Sequence, residues 1–313
     1  MRTVVGLERL SPAEDGLAVA IGTFDGVHVG HRALISKARE GAAELGCASG
    51  VITWDRHPAV TLRPDRIPPL LSSEERKTEL LEQQEIDELV VLPFDESFTH
   101  ISAEDFVTRV LYKGLGVKLV VVGDGWRFGH KAAGTVALLR EMGTDLNFSV
   151  EEVPLREVLG EPVSSRRTRA AVQAGDIALA RTLLGRAFDL DAVVRRGDDR
   201  GRSLGFPTAN MDADPRLARP PRGIYAGRAR ALDLWYTAAI SVGVNPTFGG
   251  DPETSPIHVE AYLLDFDSDL YGVTLRVEFW QRLRDELAFD RVDDLVAQME
   301  RDVEQTRSLV EET

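Results

Sequence analysis

The chain has 313 residues, a length that fits roughly two domains. Its 37 basic against 51 acidic side chains give a net charge of −14, which argues against a nucleic-acid binder and against docking on an anionic membrane. A single cysteine, Cys47, excludes an intrachain disulfide and a cysteine-based zinc cluster. Residues 1–10 lack an apolar core of signal-peptide length, and no run reaches the ~18 apolar residues of a membrane span. The expectation is a cytoplasmic chain with small-molecule partners and neither nucleic acid nor membrane; the pattern sets no oligomeric state. Small anions stay possible ligands, because helix N-termini with a few Arg or His residues can hold them.

Along the first half, short apolar runs at Leu17–Ile21, Ala48–Thr53, Leu89–Leu92, Leu119–Val122 and Phe148–Val153 alternate with helical patterns. Ser72 with Glu75 reads as a capping box, and Ser102 before Glu104 and Asp105 opens a helix with Phe106, Val110 and Leu111 on one face. Such alternation predicts an open parallel sheet with helices on both faces, whose ligands lie beyond the carboxyl ends of the strands. Asp176 as N-cap and Gly185 as C′ glycine bound a last helix, and the domain boundary is placed there, giving 1–185 and 186–313. The second half changes texture. Val193–Arg195, Ile224–Arg230, Thr237–Val242, His258–Leu264 and Val273–Phe279 are strand candidates separated by turns, which predicts a small antiparallel barrel. Val292, Leu295, Val296, Met299 and Val303 then form the apolar stripe of a helix that closes the chain across the barrel.

The chemistry is densest where the first strand becomes the first helix, at Gly22-Thr23-Phe24-Asp25-Gly26-Val27-His28-Val29-Gly30-His31. Gly26 and Gly30 remove side chains where a ligand would approach backbone, and the helix N-terminus supplies free N–H groups suited to phosphate. His28 and His31 are three apart and share one side of the first turn. A polar helix start with incidental histidines is the plain alternative; a metal pair lacks a third ligand nearby. The glycines beside both histidines favour phosphate.

This segment resembles the HxGH signature of the nucleotidyltransferase superfamily, and its full length is similar to that of bacterial bifunctional riboflavin kinase/FAD synthetases. The likeness continues through Thr53–Pro58, Leu92–Asp95, Val122–Gly134, Ser164–Arg169 and the second domain. It implies a Rossmann-like nucleotidyltransferase domain that adenylylates FMN with ATP to FAD and pyrophosphate, followed by a barrel that phosphorylates riboflavin to FMN. By resemblance His28 and His31 are catalytic, and Gly22, Phe24, Gly26, Gly30, Ser164, Ser165 and Arg169 hold ATP phosphates. Asp55, His57, Asp124, Arg127, Asn245 and Arg284 fall at flavin or nucleotide positions. Some residues depart from the family pattern: Arg166 replaces a threonine, Gly125 an Asn or Asp, Trp54 and Arg56 alter an FDPHP run, and Ala288 stands for a lysine. These leave a monofunctional riboflavin kinase, with an inactive or repurposed first domain, as the alternative.

In the second domain Gly201-Arg202-Ser203-Leu204-Gly205-Phe206-Pro207-Thr208-Ala209-Asn210 matches the family's kinase signature, and no Walker A lysine loop exists in the chain. Gly201, Gly205, Phe206 and Pro207 read as a flap over ATP. Thr208 and Asn210, two apart in an extended segment, are hard oxygen donors suited to Mg²⁺. Glu260, alone in the apolar run His258–Tyr262, matches the family's catalytic base; an exposed strand carboxylate is the plain alternative.

Overall fold

The computed structural model describes residues 1–197, 200–244 and 257–311. The chain divides into two compact units, one of Met1–Leu70 with Glu74–Ser165 and one of Leu71–Ser73 with Arg166–Thr313.

The first unit is built on a six-stranded parallel sheet: β1 (Arg2–Val5), β2 (Leu17–Ile21), β3 (Ala48–Trp54), β4 (Glu88–Leu92), β5 (Val117–Gly123) and β6 (Ser149–Val153), in the order β1-β4-β3-β2-β5-β6. All five expected strands are present. The edge strand β1 is additional; only Val4 of its four residues is buried, too little to write an alternation. β2 is apolar throughout because both of its faces are covered. Leu17, Val19 and Ile21 enter one core with Phe106 and Leu111, while Ala18 and Ala20 face Ile35, Ala38 and Leu80 in the other. The covering helices are α1 (Val29–Leu45), α2 (Glu74–Glu82), α3 (Phe106–Leu115) and α4 (Val136–Leu146).

α3 follows a turn capped by Ser102, whose hydroxyl accepts the Asp105 N–H at 3.0 Å, as expected. Its winding was not expected: it is a π-helix. Buried Phe106, Val110, Leu111 and Leu115 recur every four to five residues, which suits the wider turn. From β2 the chain proceeds through α1 to β3 on one side and returns later to β5 on the other. The carboxyl ends of β2 and β5 therefore flank the point where strand order reverses, the place where open sheets bind ligands.

The second unit is a closed six-stranded barrel: β7 (Phe188–Arg195), β8 (Ala209–Asp212), β9 (Gly223–Ala231), β10 (Leu234–Val244), β11 (Ile257–Leu263) and β12 (Thr274–Arg284), ordered β7-β8-β11-β10-β9-β12. Every neighbouring pair is antiparallel. Fully buried Tyr225 and Phe279 pack edge to face inside, with Phe188 beside Phe279. Two helices precede the barrel, α5 (Ser165–Ala174) and α6 (Ile177–Leu184). Asp176 caps α6 by accepting the Leu179 N–H, and Gly185 closes it in a left-handed conformation, as predicted.

The compact units nevertheless part at Ser165 rather than Gly185. The reason is packing: α6 lies on β7 and β12, with the Arg181 guanidinium 5.3 Å over the Trp280 ring. The closing helix α7 (Val292–Glu311) packs against β9 and β10.

Candidate active sites

In the first unit the segment between β2 and α1 is tightly wound. Phe24 and Val27 hold φ of 52° and 39°, conformations that few non-glycine residues adopt. Such strain persists only where the surroundings enforce it, and it concentrates at functional sites. The enforcing contacts are visible: the Gly22 N–H donates to the Ile52 carbonyl, and the Thr53 hydroxyl donates to the Thr23 carbonyl. Ser165 donates its hydroxyl to the Asp25 carbonyl at 3.0 Å. The Phe24 ring meets His31 edge-on at 5.0 Å.

His28 is the N-cap of α1, its Nδ1 accepting the His31 N–H at 3.2 Å. The two imidazoles stack with centroids 3.6 Å apart. A Cβ on Gly30 would come within 3.2 Å of the His28 ring, so this glycine also makes room for the imidazole. Burial, with a smaller push from His28, holds the His31 imidazole well below its ordinary pKa of 6.5. His31 is therefore neutral near neutral pH, and its Nδ1 is buried without a hydrogen-bond partner. His31, neutral and with one orphaned nitrogen, stacked on His28 at a helix N-terminus, fits an incoming phosphate.

The loop after β3 adjoins this segment across the sheet. Burial opposes ionisation of Asp55, but hydrogen bonds from the Arg56 side chain and the Phe94 N–H outweigh it and hold its carboxyl below the usual range. His57 Nδ1 accepts the Ala59 N–H at 3.1 Å and fixes the turn. Trp54 fills the core beneath, edge-on to Phe94 at 5.3 Å. Beyond β5, Asp124, Gly125 and Arg127 are exposed, while Trp126 stacks on Phe128 at 4.7 Å. Gly125 has a φ of +68°, donates its N–H to Glu152, and leaves open space where a Cβ would stand. Ser164 belongs to the first unit, whereas exposed Arg166 and buried Arg169 belong to the second.

In the barrel, Asn210 of β8 lies opposite Glu260 of β11. Just before β8, the Thr208 hydroxyl donates to Glu260 Oε2 at 2.9 Å. Period-two alternation sends Ala209 and Met211 inward and leaves Thr208 and Asn210 on the face that Glu260 shares. In the segment expected to be a flap over ATP, Arg200–Ser203 makes one helical turn, and the Phe206 N–H donates to the Gly201 carbonyl. Gly205, exposed with φ +89°, remains its unencumbered hinge. Asn245 lies outside the described residues.

Glu260 and Thr208 line a cavity of about 240 Å³, whose other walls include Ser241, Tyr262, Leu295 and Met299. Thr208 also lines a second cavity of about 100 Å³, with Asp267, Asp269 and Tyr271. The closing helix is thus part of the site, a role its apolar stripe concealed. Arg284 does reach the larger cavity, but its guanidinium is occupied: Nη2 meets Asp302 at 2.6 Å and Nε meets both Asp302 oxygens at 3.0 Å. Asp302, which the sequence reading missed, is buried and anchors α7 to the barrel.

Residues 10–167 match the FAD synthetase family model and residues 184–310 the riboflavin kinase family model. The bifunctional riboflavin kinase/FMN adenylyltransferase of Pseudomonas fluorescens is 36% identical over 309 residues, covering 99% of this chain and 98% of that protein. The protein of the same description from Escherichia coli K12 is 33% identical, covering 96% of each. A solved structure from Streptococcus pneumoniae, described as a macrolide-efflux protein, superposes with a TM-score of 0.87 at 30% identity over 98% of this chain and 99% of that one. Among the described residues, no helix is long and apolar enough to cross a membrane.

Proposed function

The chain belongs to the bifunctional riboflavin kinase/FMN adenylyltransferase family, and from that premise we propose how its residues divide the work. Residues 186–313 phosphorylate riboflavin to FMN, and residues 1–185 join FMN to the adenylyl group of ATP, giving FAD and pyrophosphate. Relatives named for both activities match over nearly the whole length, which favours two activities over the monofunctional alternative.

In the kinase, the contact that carries the reading is Thr208, which lines both cavities, on Glu260, which lines the larger. Riboflavin occupies the larger, mainly apolar one, with its terminal ribityl hydroxyl at Glu260. Glu260 takes the hydroxyl proton as that oxygen attacks the γ-phosphorus, and ADP leaves. ATP phosphates lie on the Thr208 side, covered by Gly201, Gly205, Phe206 and Pro207. The Thr208 hydroxyl donates a hydrogen bond to Glu260, so its lone pairs are free for a hard cation, and Asn210 opposite Glu260 supplies a second oxygen. Two oxygen donors completed by phosphates and water fit Mg²⁺, which when bound would neutralise charge on the transferring phosphoryl group.

In the first domain the FMN phosphate attacks the α-phosphorus of ATP, and pyrophosphate leaves. His28, His31 and the N–H groups of the first turn of α1 meet the charge that grows on the phosphate oxygens. Gly22, Phe24, Gly26 and Gly30 shape that cradle, and Ser164 and Ser165 hold the outer phosphates. Asp55, His57, Asp124 and Arg127 stand on the rim beyond β3 and β5, where the flavin or nucleotide arrives. The setting is cytoplasmic, with small molecules as partners.

Chromatography of flavins after incubation with riboflavin, ATP and Mg²⁺, and separately with FMN, tests the scheme. FAD from both incubations is expected; FMN from the first with FAD from neither would return the monofunctional alternative.

A further inference from the structure

α2 carries a lysine where its period calls for an apolar residue. Leu80 and Leu81, three and four positions after Lys77, are buried in the core, and Lys77 is on the same face with 6% of its surface exposed. A buried ammonium is unfavourable unless its hydrogen bonds are met. Here they are met at one place: Lys77 Nζ donates to the carbonyl of Trp54 at 3.1 Å and pairs with Glu74 at 2.6 Å. Trp54 is the last residue of β3. Where β3 and β4 end, side chains take over from the ladder: Lys77 holds the Trp54 carbonyl, and Asp55 Oδ1 takes the Phe94 N–H at 2.9 Å. The next residues are the rim loop of Asp55 and His57.

We infer that Lys77 is a positioning residue for adenylyl transfer, fixing the start of the Asp55–His57 loop through the Trp54 carbonyl. It touches no reacting atom. An apolar residue would fill the same volume and leave the carbonyl unpaired at the base of the loop. The inference rests on the reading that this loop belongs to the FMN or ATP site, and the test separates the two.

The variants are Lys77→Met and Lys77→Arg in the full chain, followed by hydrogen exchange, by FAD formation from FMN, and by FMN formation from riboflavin. Lys77→Met is expected to speed exchange in the peptide spanning 54–60 and to leave the barrel peptides and the melting temperature close to the parent. FAD turnover should fall about 10- to 100-fold, as displaced loops typically cause, while the kinase stays within about twofold. Lys77→Arg, which keeps a donor, should recover most of the loss. Unchanged exchange at 54–60 would overturn the positioning role whatever the activities do. So would a parallel loss of both activities with a lowered melting temperature, the signature of a purely structural residue. Faster exchange at 54–60 with undiminished FAD turnover would keep the clamp and remove the loop from the transfer site.

Discussion

In the first unit the segment Gly22–His31 carries the strained backbone, the cap and both stacked imidazoles, all within consecutive residues. In the barrel, Thr208 and Glu260 are 52 positions apart and meet because β8 and β11 pair in one register. The first site's histidines, cap and strained backbone come from one short segment, braced by Ile52, Thr53 and Ser165; the residues of the second meet only when the barrel closes. A substitution in the first therefore acts through neighbouring backbone, and one in the second acts through strand pairing and through α7. The two activities give each other an internal control, and every variant below is read against the unaltered domain.

Glu260→Gln keeps the shape and the acceptor for Thr208 but removes the base. FMN formation should fall about 10²- to 10⁴-fold, with riboflavin binding retained and FAD formation from FMN unchanged. A kinase within about twofold of the parent would take Glu260 out of that role. His28→Ala with His31→Ala is the counterpart in the other unit. FAD formation should drop about 10²- to 10³-fold while the kinase is spared. Equal loss of both would break the division into two independent sites.

The same contrast explains what could be read from sequence. Histidines beside glycines at a strand–helix junction were legible because they and the α1 cap lie in one short segment, whereas the contacts from Ile52, Thr53 and Ser165 that hold its backbone were not. The strands were legible because β2 is apolar on both faces and the barrel runs are bounded by turn residues. Asp302, three after Met299 and seven after Leu295, borders the apolar stripe of α7, but its role was not legible, since only the closed barrel brings Arg284 to it. Lys77 broke the apolar period of α2 ahead of Leu80 and Leu81, but what it meets could not be read until Trp54 was placed beside it. The domain boundary was drawn at a helix end marked by Gly185, but whether that helix joins the barrel is decided by its packing on β7 and β12.

Asp302 offers the next test. The pair is nearly buried, with 18% and 7% of the Arg284 and Asp302 side chains exposed. Removing one partner, as in Asp302→Ala, leaves a charge without its counter-ion and should destabilise the barrel by about 3–5 kcal/mol, measured by denaturant unfolding. The KM for riboflavin should rise with it, because α7 walls the cavity. Asp302→Ala with a wild-type midpoint and KM would show that Arg284 serves the ligand instead of the helix.

Gly125 tests the first unit more gently. Its positive φ and the open space at its missing Cβ suit asparagine, the side chain that best tolerates this conformation. Gly125→Asn should change stability by less than about 1 kcal/mol. FAD formation should rise about 2- to 10-fold, the worth of one hydrogen bond of ~0.5–1.5 kcal/mol. An unchanged rate would mean that the open position has no bearing on transfer in this chain.

The smallest expected effect is proton uptake at His31. Burial first, and His28 second, depress its pKa well below 6.5 in the folded chain. The unfolded chain therefore binds this proton more readily, so the stability that His31 contributes is complete above about pH 6.5 and is lost as pH falls through the depressed folded value. ATP changes the balance, because its phosphates favour the imidazolium and raise the pKa again. Binding near pH 6 should then draw in a proton, up to about one per site, and ATP affinity should grow as the solution becomes more acidic. Calorimetry in two buffers of different ionisation enthalpy measures that uptake, and comparison with His31→Gln removes the titration of ATP itself. If parent and variant take up the same amount, the phosphates do not sit beside His31, and the first site lies elsewhere along the carboxyl edge of the sheet.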